Sequence, residues 1–305
     1  MATITTSDVR LHTLPPAIGR AGLRGVIASE FTKLRSVRST YAAIAAAVVV
    51  SVGIAAIVGA ASAAQIHHDV TNKVDFDATQ ASLVGFYELG QLIIAVLGAL
   101  TITSEYSTGM IRTSLTAMPR RGVVYAGKLI VFTAVTLVVS LATSFISFFV
   151  CQALLSGTGV SASLSRATTV PAAQITTSGG KTALSGTLVI SSGTVLTAVI
   201  GTALFVTVVA LIAFGLGAII RHTAGSITSV VGLMFVVPII VQILPSTWRW
   251  DIMRFFPDAA GRVVSVTVGQ TTAHLWSAWP QFCVTAAYAA VLLIIGACLF
   301  RKRDA

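Results

Sequence analysis

The chain reads as an all-α polytopic membrane protein: six transmembrane helices, an interfacial helix before the first, and both termini cytoplasmic. Three observations predict this. Of 305 residues, 55% are hydrophobic and only 10% charged, against about 25% charged in a soluble domain whose surface must stay in water. Six apolar runs reach the roughly 20 residues that a helix needs to cross a bilayer core. Lys and Arg, which outnumber Asp and Glu 20 to 10, gather in alternate connections between those runs. The composition excludes a soluble enzyme and a disordered chain. Cys151, Cys283 and Cys298 form no C-x-x-C pair, so neither a disulfide framework nor a zinc site is indicated.

Residues 1–40 form a basic N-terminal segment, too charged and too directly followed by a full-length span to be a secretory signal. Leu23, Val26, Ile27, Phe31, Leu34, Val37 and Tyr41 recur at helical spacing, with Arg24, Glu30, Lys33 and Arg35 between them. That pattern predicts a helix lying in the inner interface, apolar face down and basic face towards anionic headgroups. The spans follow in residues 41–305, at about 41–64, 83–104, 129–155, 196–220, 226–244 and 280–300. Pro238 sits within the fifth, where neighbouring helices can satisfy the freed carbonyl.

Six spans put both termini on one side. The segments on that side, 1–40, 105–128, 221–225 and 301–305, hold 14 Lys and Arg in 74 residues. The opposite segments, 65–82, 156–190 and 245–279, hold 6 in 88. Basic residues collect on the cytoplasmic side, so both termini are expected there. The outer loops are then 65–82, 156–195 and 245–279. Residues 156–193, rich in Ser, Thr and Gly, read as a flexible external loop. Residues 245–280 carry Trp248, Trp250, Phe255, Phe256 and Trp276, an aromatic content suited to the outer membrane surface.

Catalytic chemistry is thin. Gly180-Lys181-Thr182 lacks the glycine five residues earlier that a phosphate loop needs, since Ile175 stands there. There is no H-E-x-x-H and no G-x-S-x-G. His67-His68-Asp69 has no ligand-type spacing. No catalytic residue and no metal site are expected. Glu88 and Gln91, polar groups inside the second span, either line a substrate pathway or reach the outer headgroups.

The loop 105–128 is the most informative stretch. Met110, Ile111, Ser114, Leu115 and Met118 suit one face of a short helix stopped by Pro119, and Arg120, Arg121 and Lys128 mark the return to the membrane. Here the chain resembles the permease subunits of type 2 ATP-binding-cassette exporters. Their E-Y-x-x-G-x-x-R-x-x-L-x-x-x-P-x-R pattern is matched by Glu105, Tyr106, Gly109, Arg112, Leu115, Pro119 and Arg121. The resemblance extends to Glu30–Ser36, to Arg221–Gly225, to Phe256-Pro257-Asp258-Ala259-Ala260-Gly261 and to the basic C-terminus.

The resemblance implies a permease, itself no enzyme, that forms the substrate pathway of an exporter in the cell membrane. It implies two copies of a separate cytoplasmic ATPase, which binds the ATP and Mg, and a second permease copy or paralogue. Membrane lipids are the remaining partner, and no nucleic acid is expected. Glu105 to Arg121, with Met110, Ile111 and Arg120 among them, would form the coupling helix that docks on the ATPase. Phe31, Lys33, Leu34 and Arg35 would belong to an elbow helix. A permease-like anchor or regulator without transport, or an intramembrane enzyme, are the alternatives. The apolar spans favour a lipid, peptide antibiotic or hydrophobic drug over a sugar or ion.

Overall fold

The computed structural model describes residues 22–68, 76–111, 116, 120–158, 162, 168–171, 175–178, 181–184, 187–190, 192–266 and 275–302. Six helices among the described residues are long and apolar enough to cross a membrane. A helix α1 (Leu23–Ser36) comes first, then the first span α2 (Arg38–His68). The second span is α3 (Ala78–Gly85), a π turn (Phe86–Gly90) and α4 (Gln91–Ser107), continuous in one rod. The third is α5 (Arg121–Leu155) and the fourth α6 (Ser192–Ile220). The fifth joins α7 (Thr223–Val231), a second π turn (Gly232–Val236) and α8 (Val237–Val241). Two short helices, α9 (Ser246–Met253) and α10 (Ala259–Ser265), precede the sixth, α11 (Ala278–Lys302).

The helices end where local chemistry ends them. Asp77 caps α3, its carboxylate accepting from the backbone N–H groups of Thr79 and Gln80 at 2.9 Å. Gly109 follows α4 with φ +70°, the left-handed position at which a helix commonly terminates. The third span begins eight residues earlier than its apolar run, because Lys128 lies inside the helix and is paired there.

α6 is the central helix. Two thirds of its most apolar window is buried (67%), against 17% for α11 and 22% for α2, whose outer faces meet the surroundings. Small residues allow the close approaches around it. A β-carbon on Gly98 of α4 would sit 2.5 Å from the Ala210 carbonyl, and one on Gly215 of α6 would sit 2.9 Å from Leu292 of α11. Such contacts suit helices in lipid, where packing replaces the hydrophobic drive. Phe132, Phe205 and Phe214 fill the centre and are fully buried.

The loop 156–193 departs from expectation. Strands β1 (Thr168–Pro171) and β4 (Thr187–Ile190) pair antiparallel around β2 (Ile175–Ser178) and β3 (Lys181–Leu184), also antiparallel. This nested hairpin sits on an otherwise helical fold. Lys181 and Thr182 lie on β3, paired with Ser178 and Thr177, rather than at the strand-to-helix turn of a phosphate loop.

Candidate functional site

Four charged side chains from three elements meet at the α1 end of the bundle. Glu105 ends α4 and is 1% exposed; Lys128, on the second turn of α5, is 3% exposed. Lys128 Nζ donates to Glu105 Oε1 at 2.6 Å and to Glu30 Oε2 of α1, also at 2.6 Å. Lys33 of α1 donates to the same Glu105 oxygen. Two ammonium groups and two carboxylates neutralise one another in a buried setting, where a lone charge would be costly. Glu105 Oε2 is buried without a hydrogen-bond partner among the described residues. A cavity of about 160 Å³ adjoins the cluster, with Glu30, Lys33, Ser104 and Lys128 in its wall.

Packing holds α1 in place for these bonds. Gly127 lets it approach: a β-carbon there would lie 2.5 Å from Val26 Cγ1. Val26 and Val124 then form a small apolar contact of their own. The basic face expected to meet headgroups is therefore partly turned inward. Glu30 and Lys33 serve the junction, Phe31 and Arg35 are exposed and Leu34 is half-buried. The physical reason is the pairing itself: the Glu105 carboxylate draws Lys33 out of the exposed face, and Lys128 of α5 draws Glu30.

Tyr106 follows Glu105 and carries a second tie. The Arg221 guanidinium lies 4.8 Å from the centre of its ring, a cation–π contact. Arg221 also donates to the Leu299 carbonyl of α11 at 3.3 Å. Its backbone has φ +60°, uncommon for a residue with a side chain and held only when the surroundings demand it. The sequence flagged Arg221 as a cytoplasmic charge and as the start of the Arg221–Gly225 resemblance. No local pattern points to its ring partner 115 positions earlier.

Beyond Gly109 the segment expected to couple divides. Met110 is 45% exposed, but Ile111 is 3% exposed and belongs to the core. Ile111, expected on a docking face with Met110 and Leu115, packs within the chain. Arg112, Leu115 and Pro119 lie outside the described residues. Arg120 is exposed and stands at the N-cap of α5, and Arg121 opens that helix.

A second polar cluster closes the opposite end. Gln91 is fully buried and donates to Asp258 Oδ1 at 3.3 Å. Glu88, on the π turn, lies 3.6 Å from Arg262 of α10, which is 3.8 Å from Asp258. Burial pushes the Asp258 carboxyl up to about 6, against the opposing pull of Arg262. Gln281 and Thr285 of α11 donate to the carbonyls of Arg254 and Pro257 at 2.8 and 2.9 Å. Glu88 and Gln91 therefore sit together, facing α10. Asp258 and Arg262 were not among the expected site residues, although a carboxylate after Pro257 in an apolar setting was a signal. Among the described residues no three His, Cys, Asp or Glu side chains gather as a metal site.

Residues 26–170 match the family described as ABC-2 family transporter protein. This stretch is similar to ABC-2 family transporters. It contains all four residues of the buried junction. The match likens residues 26–170 to a transporter protein, and the six helices long and apolar enough to cross a membrane fit a multi-pass membrane protein. No curated protein matches the chain.

Proposed function

We propose that this chain is an ABC-2 family permease that forms half of an exporter driven by a separate cytoplasmic ATPase, and that the Glu105 junction passes the ATPase's motion to the spans. The observation that carries this is the position of Glu105: it ends the second span, roots the segment 105–121, and is bonded to both α1 and the third span. A push on that segment reaches three elements through one carboxylate. Pairs that are buried and hydrogen-bonded hold such a joint rigid, whereas exposed pairs would slide.

In this reading α1 is the elbow, lying along the inner membrane boundary, and the α1 end of the bundle is cytoplasmic. Met110, Arg112 and Leu115 meet the ATPase, with two ATPase copies serving two permease chains. Glu88 and Gln91 act at the outer end, where they bind α10 to the second span and close the pathway between transport events. ATP and Mg stay on the ATPase. The substrate is apolar or amphipathic, in keeping with the spans.

The test is copurification. Leu115→Ala should weaken retention of the cognate ATPase, since truncating an interface anchor costs about 1–4 kcal/mol, and Arg112→Glu should weaken it further. Retention at the wild-type level in both variants removes the coupling role from this segment. A membrane-impermeant maleimide should reach a cysteine at Thr177 but not one at Ser107 in intact cells; the reverse labelling inverts the orientation.

A further inference from the structure

The end of the bundle opposite α1 carries two guanidinium groups with unused donors. Arg249 lies on α9 and Arg262 on α10, and both line a cavity of about 300 Å³ together with Gln242, Trp250 and Met253. The Nε of each arginine is buried and has no hydrogen-bond partner among the described residues. Buried donors are nearly always matched by protein, water or an ion, and these two have no protein partner among the described residues. Arg249 stacks 5.0 Å from the Trp250 ring centre. The carboxylates near Arg262 stand at 3.6 and 3.8 Å, beyond hydrogen-bond length. Neither lines this cavity.

We propose that Arg249 and Arg262 form a binding site for a phosphate group, carried on an amphiphile of the lipid type. Two guanidinium forks suit an anion with several oxygens better than a single-point acceptor. The cavity has room for more than a bare phosphate, and its remaining wall is apolar or amidic. A second cavity of about 260 Å³ shares Trp250, Met253 and Arg262 with it and continues to Tyr87, Glu88 and Leu275, so the Glu88 carboxylate lies in the adjoining space.

The surroundings place the site at headgroup depth. Trp248 is 67% exposed, Phe255 and Trp279 each 55%, and such aromatic side chains settle at the boundary between hydrocarbon and water. Ile243, one residue beyond Gln242, is 82% exposed and marks the hydrocarbon side. A lipid with its phosphate between the arginines would lay its chains along α8. This site is independent of the ATPase coupling proposed above and stands or falls without it.

The experiment uses the purified full-length chain in detergent, titrated calorimetrically with dihexanoyl phosphatidic acid, dihexanoyl phosphatidylcholine and inorganic phosphate. Phosphatidic acid should bind saturably, and Arg249→Gln and Arg262→Gln should each weaken it at least about tenfold, the scale of one hydrogen bond to a charged group. Arg249→Lys should fall between, because an ammonium keeps the charge and loses the fork. Arg249 has no carboxylate partner among the described residues, so its variant tests the site even if Arg262→Gln unfolds. Phosphatidic acid binding more tightly than inorganic phosphate upholds a lipid ligand. Equal affinity for both keeps the anion site and overturns its lipid character. Phosphatidylcholine binding as tightly as phosphatidic acid upholds the lipid site and shows that a phosphodiester suffices, whereas no saturable binding, or variants equal to wild type, overturns the site.

Discussion

Removing the ammonium of Lys128 tests the junction most severely. Lys128→Met keeps the length and apolar stem of the side chain but leaves Glu30 and Glu105 facing one another in a buried setting. Glu105 retains Lys33, while Glu30 is left without an ion-pair partner among the described residues. Breaking a buried pair by deleting one partner costs about 3–5 kcal/mol, and the surviving Lys33 bond holds the value near the lower end, at about 3 kcal/mol. With about 2–4 °C of Tm lost per kcal/mol in chains somewhat shorter than this, the melting midpoint in detergent should drop by about 5–10 °C. The double variant Glu30→Gln/Lys128→Met removes the orphaned charge as well and should recover about half of that loss. A Lys128→Met protein melting within about 1 °C of wild type, or a double variant no more stable than the single, would refute the reasoning, because the four groups would not then be acting as one buried unit.

Other consequences follow from the same geometry. Asp258 has its folded carboxyl raised to about 6 from an ordinary value of 3.8, so its protonated form favours the fold; the stability it contributes is full below pH 3.8 and is lost as pH rises through 6. The Tm difference between wild type and Asp258→Asn should therefore shift against wild type from pH 4 to pH 7, and a flat difference contradicts this. Gly127→Val should lower the Tm by the cost of overpacking, about 1–3 kcal/mol, because Val26 occupies the space, and should expose α1 to trypsin at Arg35. Arg221→Gly should be the milder of two truncations: both it and Arg221→Ala lose the Tyr106 ring contact, but glycine relieves the positive φ, worth about 1 kcal/mol. Equal melting of the two would show that the backbone there carries no strain.

Much of the fold was legible because lipid imposes a coarse code. A run of apolar residues long enough to cross is visible without knowing its neighbours, and all six were. The exceptions have particular causes. Lys128 marked the end of an apolar run, yet α5 continues through it to Arg121, since two carboxylates distant in the chain neutralise it. The amphipathic period of residues 23–37 revealed a helix, but not that Glu30 and Lys33 face inward; their partners lie 98 and 72 positions away, and periodicity carries no long-range pairing. Ser, Thr and Gly in residues 156–193 suggested a loop, whereas Thr168-Thr169-Val170 and Thr187-Leu188-Val189-Ile190 are β-branched enough to pair. At the site, Glu105, Tyr106 and Gly109 stood out as a spaced motif. Asp258, Arg262 and Arg221 did not, because each acquires its role from a partner on another helix.

The central claim is that Glu105 links the segment 105–121 to α1 and the third span. Its most direct test is ATP hydrolysis coupled to substrate movement in proteoliposomes, with the cognate ATPase and the Glu105→Gln permease. The Lys128–Glu30 bond survives this change, so the protein should insert and retain the ATPase. Hydrolysis should persist while transport falls by at least about tenfold, the equivalent of about 1.4 kcal/mol of lost coupling. Transport per ATP at the wild-type level would contradict the account and reduce the buried cluster to a structural tie.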